Sequence, residues 1–161
     1  MNFVVVSDGD SNCDPEVAVK ALDEYIAKLD AFGYSLMVYH EGKLVFTSSS
    51  KGVRPHLEAI DALGTQLKGT TIVDKIVGRA AALLILYSGA AEVHAGVISH
   101  GGRELLEKAG VKAVYGGETE HIKTVEGRIY CPFESMVQGI SDPTQAYLAI
   151  LDKMNSLRRG E

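Results

Sequence analysis

Three short stretches carry residue types that could do chemistry. Cys131 stands directly before Pro132 and three residues before Glu134. Proline fits the first turn of a helix, so the thiol falls at a helix N-terminus, where the macrodipole stabilises a thiolate and lowers its pKa. Glu134 is then spaced to cap that helix start or to act as a nearby acid or base. Asp74-Lys75 sets a carboxylate beside an ammonium, one acceptor and one donor group, enough to orient a small polar ligand or move a proton. In Ser99-His100-Gly101-Gly102 the two glycines leave backbone amides open at a helix start, a seat for an anion or phosphate. Each stretch also has a plain structural explanation. A free cysteine is commonly a buried small hydrophobe, Asp74 suits a helix cap, and paired glycines suit a tight turn.

Other polar clusters carry less. The run DGDSNCD near the N-terminus lacks the glutamate that closes a calcium loop at its twelfth position. His94-Ala95-Gly96 has glycine where a His-Ala-Glu motif needs its acid. His40, His56 and His121 are scattered among polar residues and take no role. With 161 residues and a net charge of -5, the chain suits one domain spanning 1–161, without the basic face of a nucleic-acid module. The longest apolar run, Ala80 to Tyr87, is too short to span a bilayer, so no membrane association is expected. Two cysteines, Cys13 and Cys131, fit reduced thiols in a cytoplasmic protein.

The elements that must position these residues follow from periodicity. Residues 1–13 read as an edge strand or an arm. Asp14-Pro15 opens a helix with Val17, Leu22, Ile26 and Leu29 on one stripe, stopped by Gly33. YSLMVYH and KLVFTSS flank Glu41-Gly42 as a tight hairpin. Arg54-Pro55 starts a short helix through Leu63. Thr71 or Asp74 is expected to cap a helix carrying Gly78, Ala81, Ala82 and Ile85, small residues that allow close packing on a sheet. A strand from Ala91 to Ile98, a helix beginning at Ser99 or His100 and ended by Gly110, and the strand VKAVYGG follow. Two strands joined by that one crossover helix should lie parallel. HIKTV and RIY around Glu126-Gly127 suggest a second hairpin, and helices at Pro132 and from about Pro143 to Leu157 close the chain.

The order of helix, hairpin, helix, strand, helix, strand and helix resembles that of the cytidine-deaminase-like fold. GVISHGGRELLEKAGVKAVYGG is similar to the deaminase segment in which a strand runs into the cysteine-bearing helix and a Tyr-Gly strand follows. More narrowly, YSLMVYHEGKLVFTSSSKGVRP, VDKIVGRAAALL and CPFE resemble an uncharacterised prokaryotic domain-of-unknown-function family assigned to that fold. The resemblance implies an α/β protein, a three-layer α/β/α cytidine-deaminase-like sandwich with a mixed sheet. It also sets Asp74, Lys75, Ser99 and His100 where deaminases keep their zinc and its base. A zinc deaminase needs a His or Cys followed by a catalytic Glu at one helix start and two thiolates at the next. At these positions the chain reads Asp74-Lys75-Ile76 and Ser99-His100-Gly101-Gly102, so no metal and no other cofactor is expected.

Three functional expectations result. The first is a zinc-free domain binding a small polar or nucleotide-like ligand near Asp74, Lys75 and Ser99, with His100, Gly101 and Gly102 as further ligand-binding residues. The second is a thiol-dependent transferase or hydrolase with Cys131 as nucleophile and Asp74, Lys75 and Glu134 in support. The third is a non-enzymatic homodimer, since the helix VGRAAALLILY is apolar nearly all round and either the core or a partner copy must cover it.

Overall fold

The computed structural model describes residues 5–7, 15–120 and 132–160, the first three by their backbone alone. Both cysteines and the second predicted hairpin, residues 121–130, lie outside the described residues. Six strands form one mixed sheet in the order β1-β6-β5-β4-β2-β3. Helices cover both of its faces.

The first strand, β1 (Val5–Ser7), pairs antiparallel with β6 at one edge. α1 (Pro15–Phe32) buries Ala18, Leu22 and Leu29, with Ile26 partly buried beside them. Val17, expected on that stripe, is 64% exposed, and Ala18 takes its place. Spacings of three and four from residue 18 rather than 17 follow the helix period onto the sheet. Gly33 ends the helix at φ +69°. β2 (Leu36–His40) and β3 (Lys43–Ser48) form the expected hairpin. Its two turn residues, Glu41 and Gly42, both take positive φ, the backbone that matches strand twist in a two-residue loop.

α2 (Arg54–Leu63) follows, then a single 3-10 turn (Gly64–Leu67). The next element departs from expectation. Thr71–Val77 is a strand, β4, and Asp74 lies in its middle rather than at a helix start. Five of its seven residues, Thr71, Ile72, Val73, Ile76 and Val77, are β-branched, and such side chains favour the pleated surface. The helix α3 (Arg79–Ser88) starts only after Gly78. From there the chain runs β5 (Glu92–Ser99), α4 (His100–Lys108), β6 (Lys112–Thr119), α5 (Pro132–Met136) and α6 (Pro143–Arg158). β4, β5 and β6 are mutually parallel, so the crossover unit contains three strands instead of two. β2 joins them antiparallel along β4.

Alternation along the strands divides the apolar core between the two faces. Leu36, Val38, Ile72, Val93, Ala95, Ala113 and Tyr115 pack with α2, α3, α4 and α6. Met37, Tyr39 and Val73 pack around Leu29 of α1, and Val114 packs around Ala18 and Leu22. α3 is buried from Ala80 through Ile85, between the sheet and the neighbouring helices. Its apolar surface from Ala80 through Ile85 is therefore covered within the chain, while Tyr87 near its end is 38% exposed and stacks on Tyr147 of α6.

Candidate functional site

Adjacent residues of a strand point to opposite faces, and this separates the Asp74-Lys75 pair. Asp74 turns towards α2, where it is 9% exposed. His56, in the first turn of α2 and 3% exposed, holds Asp74 Oδ2 at 2.8 Å through Nε2. The backbone N–H of Ile76 donates to Oδ1 at 3.3 Å. A buried carboxylate requires such partners, since leaving one unmatched in an apolar interior is costly. Lys75 faces the other way and pairs with Asp30 of α1 at 2.8 Å. The two groups thus cannot act on one ligand from a common cleft.

The following turn of α2 holds a second carboxylate, Glu58. Ser48 Oγ donates to Glu58 Oε1 at 2.5 Å and Ser50 Oγ donates to Oε2 at 3.0 Å. Ser48, Leu36 and Asp74 are in register across β3, β2 and β4. The start of α2 therefore straddles one transverse row of the sheet, His56 reaching Asp74 and Glu58 reaching Ser48 two strands away, about 10 Å. With Nε2–H directed at a carboxylate, a neutral imidazole carries its lone pair on Nδ1. That is the tautomer arrangement that prepares a histidine to accept a proton. His56 and Glu58 were given no role from sequence. The signal that could have found them is the His-x-Glu spacing just after Arg54-Pro55, at a helix start one element earlier than the position compared.

The remaining expected residues do not converge on this cluster. Ser99 caps α4, its Oγ accepting from Gly102 N at 3.0 Å, and it is 3% exposed. Gly102 has a packing reason: a Cβ there would stand 3.0 Å from the Gly78 carbonyl oxygen at the start of α3. Among the described residues a Cβ on Gly101 would meet nothing closer than 4.0 Å. His100 lies on the rim between Glu104 and Glu118, both at 3.2 Å. Arg103 donates to Glu118 at 2.6 Å and Glu107 at 2.7 Å, and the Arg103 hydrogen bond holds the Glu118 carboxyl below its usual range. Glu104 and Glu118, both held against His100 in the first turn of α4, oppose its use as an anion seat.

Glu134 is engaged with another helix. Its carboxylate accepts from Arg79 N at 3.0 Å and from Ala80 N at 2.9 Å, filling donors that the start of α3 leaves open. Arg79 answers by donating to the carbonyls of Val137 at 2.9 Å and Ile140 at 2.6 Å. The segment after Cys131 is thereby clasped to α3, while Cys131 itself lies outside the described residues. Among the described residues no group of three or more His, Cys, Asp or Glu could hold a metal ion. No helix among them is long and apolar enough to cross a membrane.

A family model, TM1506, domain of unknown function (DUF1893), matches residues 24–154. The chain belongs to the DUF1893 family. The match runs from α1 to α6 and includes His56, Glu58, Asp74, Ser99 and Glu134. A solved structure of a DUF1893 family protein from Thermotoga maritima is similar to this chain with a TM-score of 0.75 and 28% identity, covering 83% of this chain and 90% of that one. No curated protein matches. The DUF1893 assignment agrees with the domain-of-unknown-function resemblance carried by the hairpin, VDKIVGRAAALL and CPFE.

Proposed function

We propose that this DUF1893 domain is a cytidine-deaminase-like, zinc-free binding domain for a small polar ligand of nucleobase type, with its site at the start of α2. His56, oriented by Asp74, exchanges a proton with the ligand, and Glu58 supplies a second carboxylate. The observation that carries the reading is the pairing of a His56-Leu57-Glu58 helix start with a buried 2.8 Å contact from His56 to Asp74. Zinc deaminases use His-x-Glu at one helix start and two thiolates at the next. Here the following helix begins Gly78-Arg79-Ala80-Ala81, so half of that signature is present, and His56 meets a carboxylate. The deaminase-like reading is further supported by a hairpin preceding three parallel strands with helices between them.

The test is a titration of isotopically labelled protein with cytosine, cytidine, uracil and adenine, followed by amide shifts. Saturable shifts clustered in α2 and β4, lost in His56→Gln and Glu58→Gln variants that keep native melting, are expected. No saturable shift with any of the four, or shifts unchanged in both variants, would remove the proposal. Stoichiometric zinc retained through dialysis would overturn its metal-free part.

A further inference from the structure

We infer that a second ligand site lies at the opposite end of α2, in an open hollow between the 3-10 turn and the β2–β3 hairpin, and that it takes a small organic anion. It lies about 10 Å along the helix from His56, and it stands or falls separately from the function proposed above. The hollow measures about 400 Å³ and is lined by His40, Val45, Leu63, Thr65, Gln66 and Lys68. That volume falls in the range of small-molecule sites.

Three features of the chain make it a site rather than a gap. The first is a β-bulge. β2 and β3 pair Val38 with Phe46 and Tyr39 with Leu44, leaving Val45 as the extra residue. A bulge re-aims a side chain, and Val45 joins His40 in lining the hollow instead of alternating away from it. The second is the set of unused donors. Among the described residues the side chains of Thr65, Gln66 and Lys68 make no hydrogen bond or ion pair within the chain. A hydroxyl, an amide and an ammonium are thus open on one wall. The third is charge. Among the described residues the lining contains a lysine and a histidine and no carboxylate; Glu41, 4.0 Å from the His40 ring, stands outside it and is 86% exposed. Val45 and Leu63 offer apolar contact between these polar groups. A phosphate or carboxylate on a small apolar body matches that arrangement, the anion meeting Lys68 and the body covering the two aliphatic side chains.

The test compares phenyl phosphate, benzoate, inorganic phosphate and benzyl alcohol by amide shifts at constant ionic strength. Phenyl phosphate or benzoate should give saturable shifts at His40 and Thr65 through Lys68. Lys68→Gln should weaken binding about tenfold, the size of one charge-assisted contact, and the exposed Lys51→Gln should not change it. Val45→Ser should weaken the two aromatic anions and leave inorganic phosphate unaffected. Whichever anion binds more tightly identifies the head group. Shifts reproduced by sodium chloride alone, equal loss in the Lys51 and Lys68 variants, or equal binding of benzyl alcohol would overturn the inference. Inorganic phosphate binding as tightly as phenyl phosphate would also do so, by removing the apolar half of the recognition.

Discussion

Asp74 shows how one residue's role depends on a partner distant in sequence. A carboxylate in the middle of a strand, facing an apolar core, is stable only because His56 comes within 2.8 Å of it from α2. Removing one member of a buried pair leaves the other desolvated and unmatched, at a cost of about 3 kcal/mol. Urea unfolding of Asp74→Ala should therefore show a loss of about that size, with Asp74→Asn, which keeps a hydrogen-bond acceptor, milder. A loss of under about 1 kcal/mol in Asp74→Ala would mean that the pair is not held as a buried unit. From sequence, Asp74 was recognisable as a chemical residue. His56 was not, because a lone histidine among polar neighbours gives no sign of facing a core.

At the scale of elements, close approach accounts for residues that composition left ambiguous. Gly101 and Gly102 look alike in sequence, yet only Gly102 is pressed against another backbone, with 3.0 Å available to a Cβ beside the Gly78 carbonyl oxygen. Gly102→Ala should cost about 1–3 kcal/mol through overpacking of the α3–α4 contact. Gly101→Ala, with 4.0 Å of room, should be neutral or stabilising by up to about 1 kcal/mol from helix propensity. Thermal denaturation of the two variants separates these outcomes, and equal effects would contradict the packing account. Gly96 belongs with Gly102: a Cβ there would stand 2.8 Å from the Lys75 carbonyl oxygen across the sheet. The clasp of Glu134 and Arg79 is likewise a contact between elements, joining α5 to the start of α3 across more than fifty residues of chain.

At the scale of the whole molecule, a charged row at the entry of the parallel strands sets its response to acid. Glu92 lies 3.3 Å from His94 Nε2 and 3.3 Å from Lys112 Nζ, in register with Lys112 on β6. The hydrogen bond from His94, opposed by burial and aided by Lys112, lowers the Glu92 pKa to about 2 from 4.5. A carboxyl depressed in the folded state contributes stability that is fully present above its unfolded value and lost as pH falls. That contribution should thus decline between about pH 4.5 and 2. Unfolding measured across this window should be steeper for the native protein than for Glu92→Gln, and parallel curves would refute the assignment.

The sequence by itself determined those elements whose signals are local. Periodicity and the Pro, Gly, Ser and Asp punctuation suffice for α1, the Glu41-Gly42 hairpin, α2, α4 and α6, because caps and turns act over a few residues. The same local signals misassigned Thr71–Val77, where Asp74-Lys75 looked like a helix start. Only a strand on each side of β4 and a histidine on α2 make burial of that aspartate acceptable. The tertiary structure decided which face each strand residue takes, so Asp74 and Lys75 parted and His56 and Glu58 came over one row of the sheet. Those positions depend on register between strands and on packing between helices, which are set by contacts across the chain.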